Sequence, residues 1–168
     1  MKLNLGCGKD IKPKSEDWVN VNKVNLEGVD VVHDLNTFPY PFGDNSVDYI
    51  FMSHTLEHLD DIVRVMEELW RILEDNGKLE IVVPYFKSKN AFNDPTHRIF
   101  FTEKTMDYFT KGHKYDFYSN ARFKILLCKK YRGGFPLWHL KKYFGIDIRH
   151  KIGLFPTSLR WILQKVKK

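Results

Sequence analysis

The sequence predicts an α/β domain built on a largely parallel sheet, and three observations carry that prediction. An apolar N-terminal stretch runs straight into a G-x-G turn, Leu3-Asn4-Leu5-Gly6-Cys7-Gly8. Downstream, strand, loop, strand, loop, strand, helix, strand follow one another, the rhythm of a parallel sheet with crossovers. Gly6, Asn22, Asp34, Ser53 and Tyr85 all fall at the carboxyl ends of predicted strands, where such sheets bind ligands.

Taken in order, residues 2–6 form the first strand, and the alternation Trp-Val-Asn-Val-Asn from Trp18 to Asn22 predicts the second. Only Lys9 to Asp17, with Pro13 in the middle, separates them, which leaves little room for a crossover helix. A dinucleotide fold needs that helix for its pyrophosphate and a third glycine to pack it, and Ile11 stands where that glycine would be. A nicotinamide dehydrogenase is disfavoured on both counts. Gly28 to Leu35 reads as a third strand ending on the acid Asp34, followed by a turn-rich loop from Phe38 to Ser46. Val47 to Ser53 reads as a fourth strand that delivers His54 at its carboxyl end. Apolar residues at helical spacing between Asp60 and Asp75 predict a helix stopped by Asn76-Gly77, and Lys78 to Tyr85 a fifth strand. Phe86 to Phe101 is a polar loop too long for a plain connection, and Thr102 is suited to cap a short helix over Glu103 to Phe109. Arg122 to Tyr131 reads as a strand. Ser158 to Val166 is read as a strand over an amphipathic helix, because Trp161, Ile162 and Leu163 would pair beside Ile125, Leu126 and Leu127.

Composition bounds the functional classes. A chain of 168 residues suffices for one domain, here 1–168, with an aromatic and basic insertion at about 132–157 before the last strand. The formal charge of +6 invites anionic partners, but much of the excess sits near the C-terminus, in Lys141, Lys142, Arg149, Lys151, Arg160, Lys165, Lys167 and Lys168. Nucleic acid is not the expected partner, because no recognised binding module accompanies the charge. Two cysteines, Cys7 and Cys128, do not make a disulfide framework. With no charged leader and no apolar run approaching the roughly 20 residues of a membrane span, a cytoplasmic protein is expected. Phe135, Leu137, Trp138, Leu140, Tyr143 and Phe144, interleaved with basic residues, leave two readings: peripheral contact with an anionic membrane, or an insertion covering the pocket.

Several stretches in this order and spacing carry a resemblance to a known family. They are Leu3-Asn4-Leu5-Gly6-Cys7-Gly8, Val31-Val32-His33-Asp34-Leu35, Phe42-Gly43-Asp44-Asn45-Ser46-Val47-Asp48, Ser53-His54-Thr55-Leu56-Glu57-His58-Leu59, and Asp94-Pro95-Thr96-His97 with Phe101-Thr102. Over roughly residues 3 to 110 the chain resembles a class I S-adenosylmethionine-dependent methyltransferase of the small, type 11-like group. That resemblance implies a Rossmann-like, mostly parallel seven-stranded sheet with an antiparallel last strand, and S-adenosyl-L-methionine as cofactor. It implies that the cofactor's methionine part lies over Leu5, Gly6, Cys7 and Gly8, that Asp34 and Leu35 meet the adenine, and that Ser53 and His54 line the floor beside the sulfonium. The cofactor has no phosphate, so a G-x-G turn without a long helix behind it is sufficient. Asn4 and Asn22 stand where the family usually has acids; Asn22 would hold the ribose hydroxyls without charge, which predicts weaker cofactor binding.

The expected function is methylation of a small-molecule or glycan-like acceptor at oxygen or nitrogen. The alternative, motivated by Asn4 and Asn22, is a non-catalytic module that keeps the fold. Asp94 and His97 have two readings: acceptor binding with His97 as general base, or a turn start at Pro95 with His97 tying the loop down. His54-Thr-Leu-Glu57-His58 also fits the H-x-x-E-H zinc pattern. That chemistry needs the motif inside a helix and a third ligand, whereas His54 ends a strand, so no metal is expected.

Overall fold

A computed structural model of the chain describes residues 1–131 and 156–167. Its centre is a seven-stranded sheet in the order β3-β2-β1-β4-β5-β7-β6. The strands are β1 (Lys2–Leu5), β2 (Trp18–Asn22), β3 (Val31–Val32), β4 (Val47–Ser53), β5 (Leu73–Pro84), β6 (Phe123–Tyr131) and β7 (Ser158–Lys165). β7 runs antiparallel to both β5 and β6, and the other neighbouring pairs are parallel. The expected mixed sheet is therefore the observed one.

The core lies on one face of this sheet, where alternating Leu3, Leu5, Ile50, Met52, Leu79, Ile81, Trp161 and Leu163 are all buried. Helix α1 (Ile62–Ile72) adds Val65, Met66, Leu69 and Ile72 to the same core. Asp61 starts the helix by accepting a hydrogen bond from the Arg64 amide at 3.0 Å, satisfying one of the donors a helix N-terminus leaves unpaired. The strand reading of 158–166 holds because its alternate residues pair as expected, with Leu163 opposite both Leu79 and Ile125. Burying Leu159, Trp161 and Leu163 on one face needs a period of two, which a helix lacks.

Several boundaries differ from expectation, among them the fifth strand, which begins at Leu73 rather than Lys78. The third strand shrinks to Val31–Val32, because the Asp30 carboxylate turns back to accept from the Asn20 amide and Asp34 folds into a turn by accepting from the Asn36 amide. The helix ends at Ile72 rather than at Asn76-Gly77, since Leu73 is already extended, fully buried and paired with Val47. The short helix after Thr102 is a 3-10 turn over Thr105–Phe109. The loop from Phe86 to Phe101 is closed by a parallel bridge between Tyr85 and Phe101 and contains one four-residue helix, α2 (Asn90–Asn93). The insertion expected at about 132–157, with its membrane-contact residues, lies outside the described residues for 132–155.

Candidate functional site

The chain passes from β1 to β2 through residues 6–17 without an α-helix, and side-chain amides hold that crossover together. Asn4 Nδ2 donates to Asp10 O at 2.6 Å and to Asn20 Oδ1 at 3.0 Å. Asn20 Oδ1 also accepts from the Lys12 amide at 2.9 Å, while its Nδ2 donates to Lys12 O and to Asp30. Both asparagines are buried, so this satisfied network replaces the crossover helix as the support beneath the glycine turn. An aspartate at position 4 could make neither donation.

The turn itself depends on two left-handed glycines, Gly6 at φ 69° and Gly8 at φ 51°. The amides of Gly6 and Cys7 both point to Val21 O, at 2.9 and 3.0 Å, which ties the turn to β2. Thr55, just beyond β4, packs on Gly6 from the other side and reaches the Gly6 and Leu5 carbonyls at 3.4 Å. A cleft of about 320 Å³ opens over these elements, lined by Gly6, Asn22, Lys23, Asp34, Leu35, His54, Thr55 and Leu59 among others. Asn22 Nδ2 donates to Val24 O at 2.9 Å, which leaves its carbonyl oxygen for a ligand hydroxyl.

Of the residues read from the sequence as cofactor-binding, Gly6, Asn22, Asp34, Leu35 and His54 line this cleft. Asn4, Leu5, Cys7, Gly8 and Ser53 do not: Asn4 and Leu5 are buried, and burial pushes the Cys7 thiol up, away from a reactive thiolate. Thr55, Asn36, Leu59 and Thr96 line it as well. Thr55, Leu59 and Thr96 sit inside the quoted motifs, but no spacing rule marks them out.

A second cavity, of about 500 Å³, adjoins the first and is lined by His54, Glu57, His58, Pro84, Asn90, Asn93, Asp94, Pro95 and His97. His54 and His58 belong to both walls. His54 holds a left-handed backbone at φ 51°, uncommon for a residue with a Cβ, and its amide donates to Val82 O at 2.8 Å. The Asp94-Pro-Thr-His97 stretch comes in from the long loop. Asp94 Oδ1 accepts from the Thr96 amide and hydroxyl at 2.9 and 2.7 Å, and the Thr96 hydroxyl holds the Asp94 carboxyl below the usual range. His97 Nδ1 lies 2.9 Å from Ala91 O. A carbonyl can only accept, so Nδ1 carries the proton and Nε2 presents a lone pair. Asp94 thus makes the local turn, and His97 ties the loop down through one nitrogen while keeping the other available.

A methyltransferase-domain family model matches residues 3–81. The demethylmenaquinone methyltransferase of Listeria welshimeri is 32% identical over 62 residues, 37% of this chain and 26% of that protein. The desmethyl-yatein O-methyltransferase of Sinopodophyllum hexandrum is 30% identical over 120 residues, 65% of this chain and 34% of that protein. The chain therefore matches only about a quarter to a third of the length of these curated relatives. A SAM-dependent methyltransferase from Archaeoglobus fulgidus superposes with a TM-score of 0.65 at 18% identity, covering 98% of this chain and 85% of that one, a likeness of fold. No helix among the described residues is long and apolar enough to cross a membrane.

Proposed function

We propose that this chain, whose residues 3–81 match the methyltransferase-domain family model and whose fold is that of a class I methyltransferase, transfers a methyl group from S-adenosyl-L-methionine to a small-molecule or glycan-like acceptor, at oxygen or nitrogen. The observation that carries the proposal is the shared wall: the cleft beside the glycine turn and the cavity under Asp94 to His97 meet at His54 and His58. A cofactor in the first and an acceptor in the second would have their reacting ends side by side, and proximity and alignment supply most of the acceleration of an in-line displacement.

The residues present suit the cofactor. Leu35 and Leu59 offer apolar surface for an adenine, Asn22 Oδ1 an acceptor for ribose hydroxyls, and the Gly6 backbone a close approach for the methionine part. When bound, the cofactor supplies an activated methyl group on a sulfonium. On the acceptor side, His97 as general base is supported by its Nδ1–H bond to Ala91 O, which leaves Nε2 able to take a proton from a hydroxyl. Both relatives named above are methyltransferases named for small molecules, which supports a small acceptor here. Contact with a membrane surface rests on residues outside the described ones.

Incubation with S-adenosyl-L-methionine and pools of hydroxyl- and amine-bearing acceptors is expected to release S-adenosylhomocysteine. His97→Ala is expected to lose most of that turnover, with cofactor affinity within about twofold of wild type. Cofactor binding without product from any pool would instead favour a non-catalytic module.

A further inference from the structure

Glu57 is the least expected group in the second cavity. Its side chain is 1% exposed, yet neither carboxyl oxygen accepts a hydrogen bond from any described residue. Buried carboxyls are ordinarily paired, hydrogen-bonded or bound to a metal. What faces Glu57 is nitrogen: His54 Nδ1 lies 3.3 Å from Oε1, and His97 Nε2 lies 4.0 Å from the same oxygen.

His97 and His58 are both held in the tautomer a metal needs. His97 Nδ1 donates to Ala91 O, so its lone pair is on Nε2, toward Glu57. The Thr96 hydroxyl gives its proton to Asp94 Oδ1 and therefore accepts from His58 Nδ1 at 2.8 Å, which puts the His58 lone pair on Nε2 as well. Each imidazole thus has an outer partner that fixes its orientation, a backbone carbonyl for one and a hydroxyl–carboxylate pair for the other. The two rings meet edge to face with centroids 4.8 Å apart.

We propose that Glu57, His58 and His97 bind a divalent transition-metal ion of the zinc type, whose open positions face the acceptor cavity and take a hydroxyl oxygen of the acceptor. The candidate ligand atoms all lie within 4.8 Å of one another. Ligand atoms in a tetrahedral zinc site sit roughly 3.4 Å apart, so closure asks these side chains to draw together by roughly 1–1.5 Å. Two imidazoles and one carboxylate form the open set of a site that keeps a position for substrate. The ion acidifies the bound hydroxyl, whose proton leaves to water in the cavity. This inference rests on the methyltransferase reading and changes the part of His97 within it, from base to ligand. Thr96 and Asp94 become positioning residues.

The test uses the full chain, freed of any affinity tag, stripped with chelator and titrated with Zn²⁺ and with Co²⁺. Calorimetry, cobalt absorption and thermal midpoint are the readouts. One ion per chain is expected, with a metal-dependent rise in midpoint. Glu57→Gln, His97→Gln and His58→Gln should each weaken binding by at least about tenfold. The partly exposed His58 provides a variant with little risk to the fold. No saturable binding by the wild-type chain, or undiminished binding by all three folded variants, overturns the site. A parallel titration with S-adenosyl-L-methionine separates the two claims. Cofactor binding without metal binding overturns the metal site alone, and metal binding without cofactor binding overturns the acceptor role built on the methyltransferase reading.

Discussion

Gly6 and Thr55 are packed so closely that a Cβ built on Gly6 would lie 2.3 Å from both Cγ2 and Oγ1 of Thr55. Residues far apart in sequence thereby clamp the end of β1 to the end of its neighbour β4, and both residues line the cleft. Gly6 also sits at φ 69°, where a side chain is strained in any surroundings.

Gly6→Ala should therefore lower unfolding stability by about 1–3 kcal/mol or more and abolish measurable cofactor binding, because the overlap and the backbone strain add. Gly8 provides the control. It shares the left-handed backbone, at φ 51°, but nothing lies within 4 Å of a Cβ placed there. Gly8→Ala should cost only the strain, about 1 kcal/mol. Denaturant midpoints of the two variants check the difference, and equal losses would remove the role of Thr55.

Asn22→Asp should tighten cofactor binding. The Asn22 amide nitrogen is engaged with Val24 O, so one neutral carbonyl oxygen remains toward the cleft. A carboxylate would offer charge-assisted acceptors to the ribose hydroxyls, a gain of about 1 kcal/mol or roughly fivefold in Kd. Calorimetry of the variant beside the wild type measures it. Unchanged or weaker affinity would refute the assignment of Asn22 to the ribose.

The Asn4 substitution invites the opposite conclusion. Position 4, like position 22, departs from the family's usual acid, but Asn4 is buried and donates to Asp10 O and Asn20 Oδ1. Its amide is thus explained by the helix-free crossover and carries no mark against activity. The sequence could show the departure but not the partner, since Asn20 meets Asn4 only once β1 and β2 are paired. The same limit explains the rest of what was and was not legible. Trp18 to Asn22 and Val47 to Ser53 match β2 and β4 to the residue, because apolar alternation is a local signal. The end of α1 was missed because Leu73 leaves the helix to pair with Val47, a tertiary contact that outweighs helical spacing. Glu57, His58 and His97 come together only when the long loop folds back on β4's end, a juxtaposition that the spacing within one helix does not encode.

Stability should fall in acid through Glu68. Arg71 pairs with its carboxylate through Nε at 2.9 Å and Nη2 at 2.8 Å, and the Tyr40 amide donates to it at 2.8 Å. The Arg71 guanidinium, helped by that amide, holds the Glu68 carboxyl below the usual range. A group whose folded pKa is depressed adds stability that is present above its unfolded value, about 4.3, and is lost as pH falls through the folded value. Glu68→Gln should therefore be less stable than wild type at pH 7, and the gap should narrow steadily below about pH 4.5. Urea midpoints from pH 7 to pH 3 test this, and a gap independent of pH would contradict it.

The most direct measurement is calorimetric titration of the purified chain with S-adenosyl-L-methionine and with S-adenosylhomocysteine, with NAD as the control. Saturable one-to-one binding of the first two but not of NAD, lost in Gly6→Ala, is the expected result. Binding of none of the three, or of NAD in preference, would contradict the account of the cleft formed by Gly6, Asn22 and Thr55.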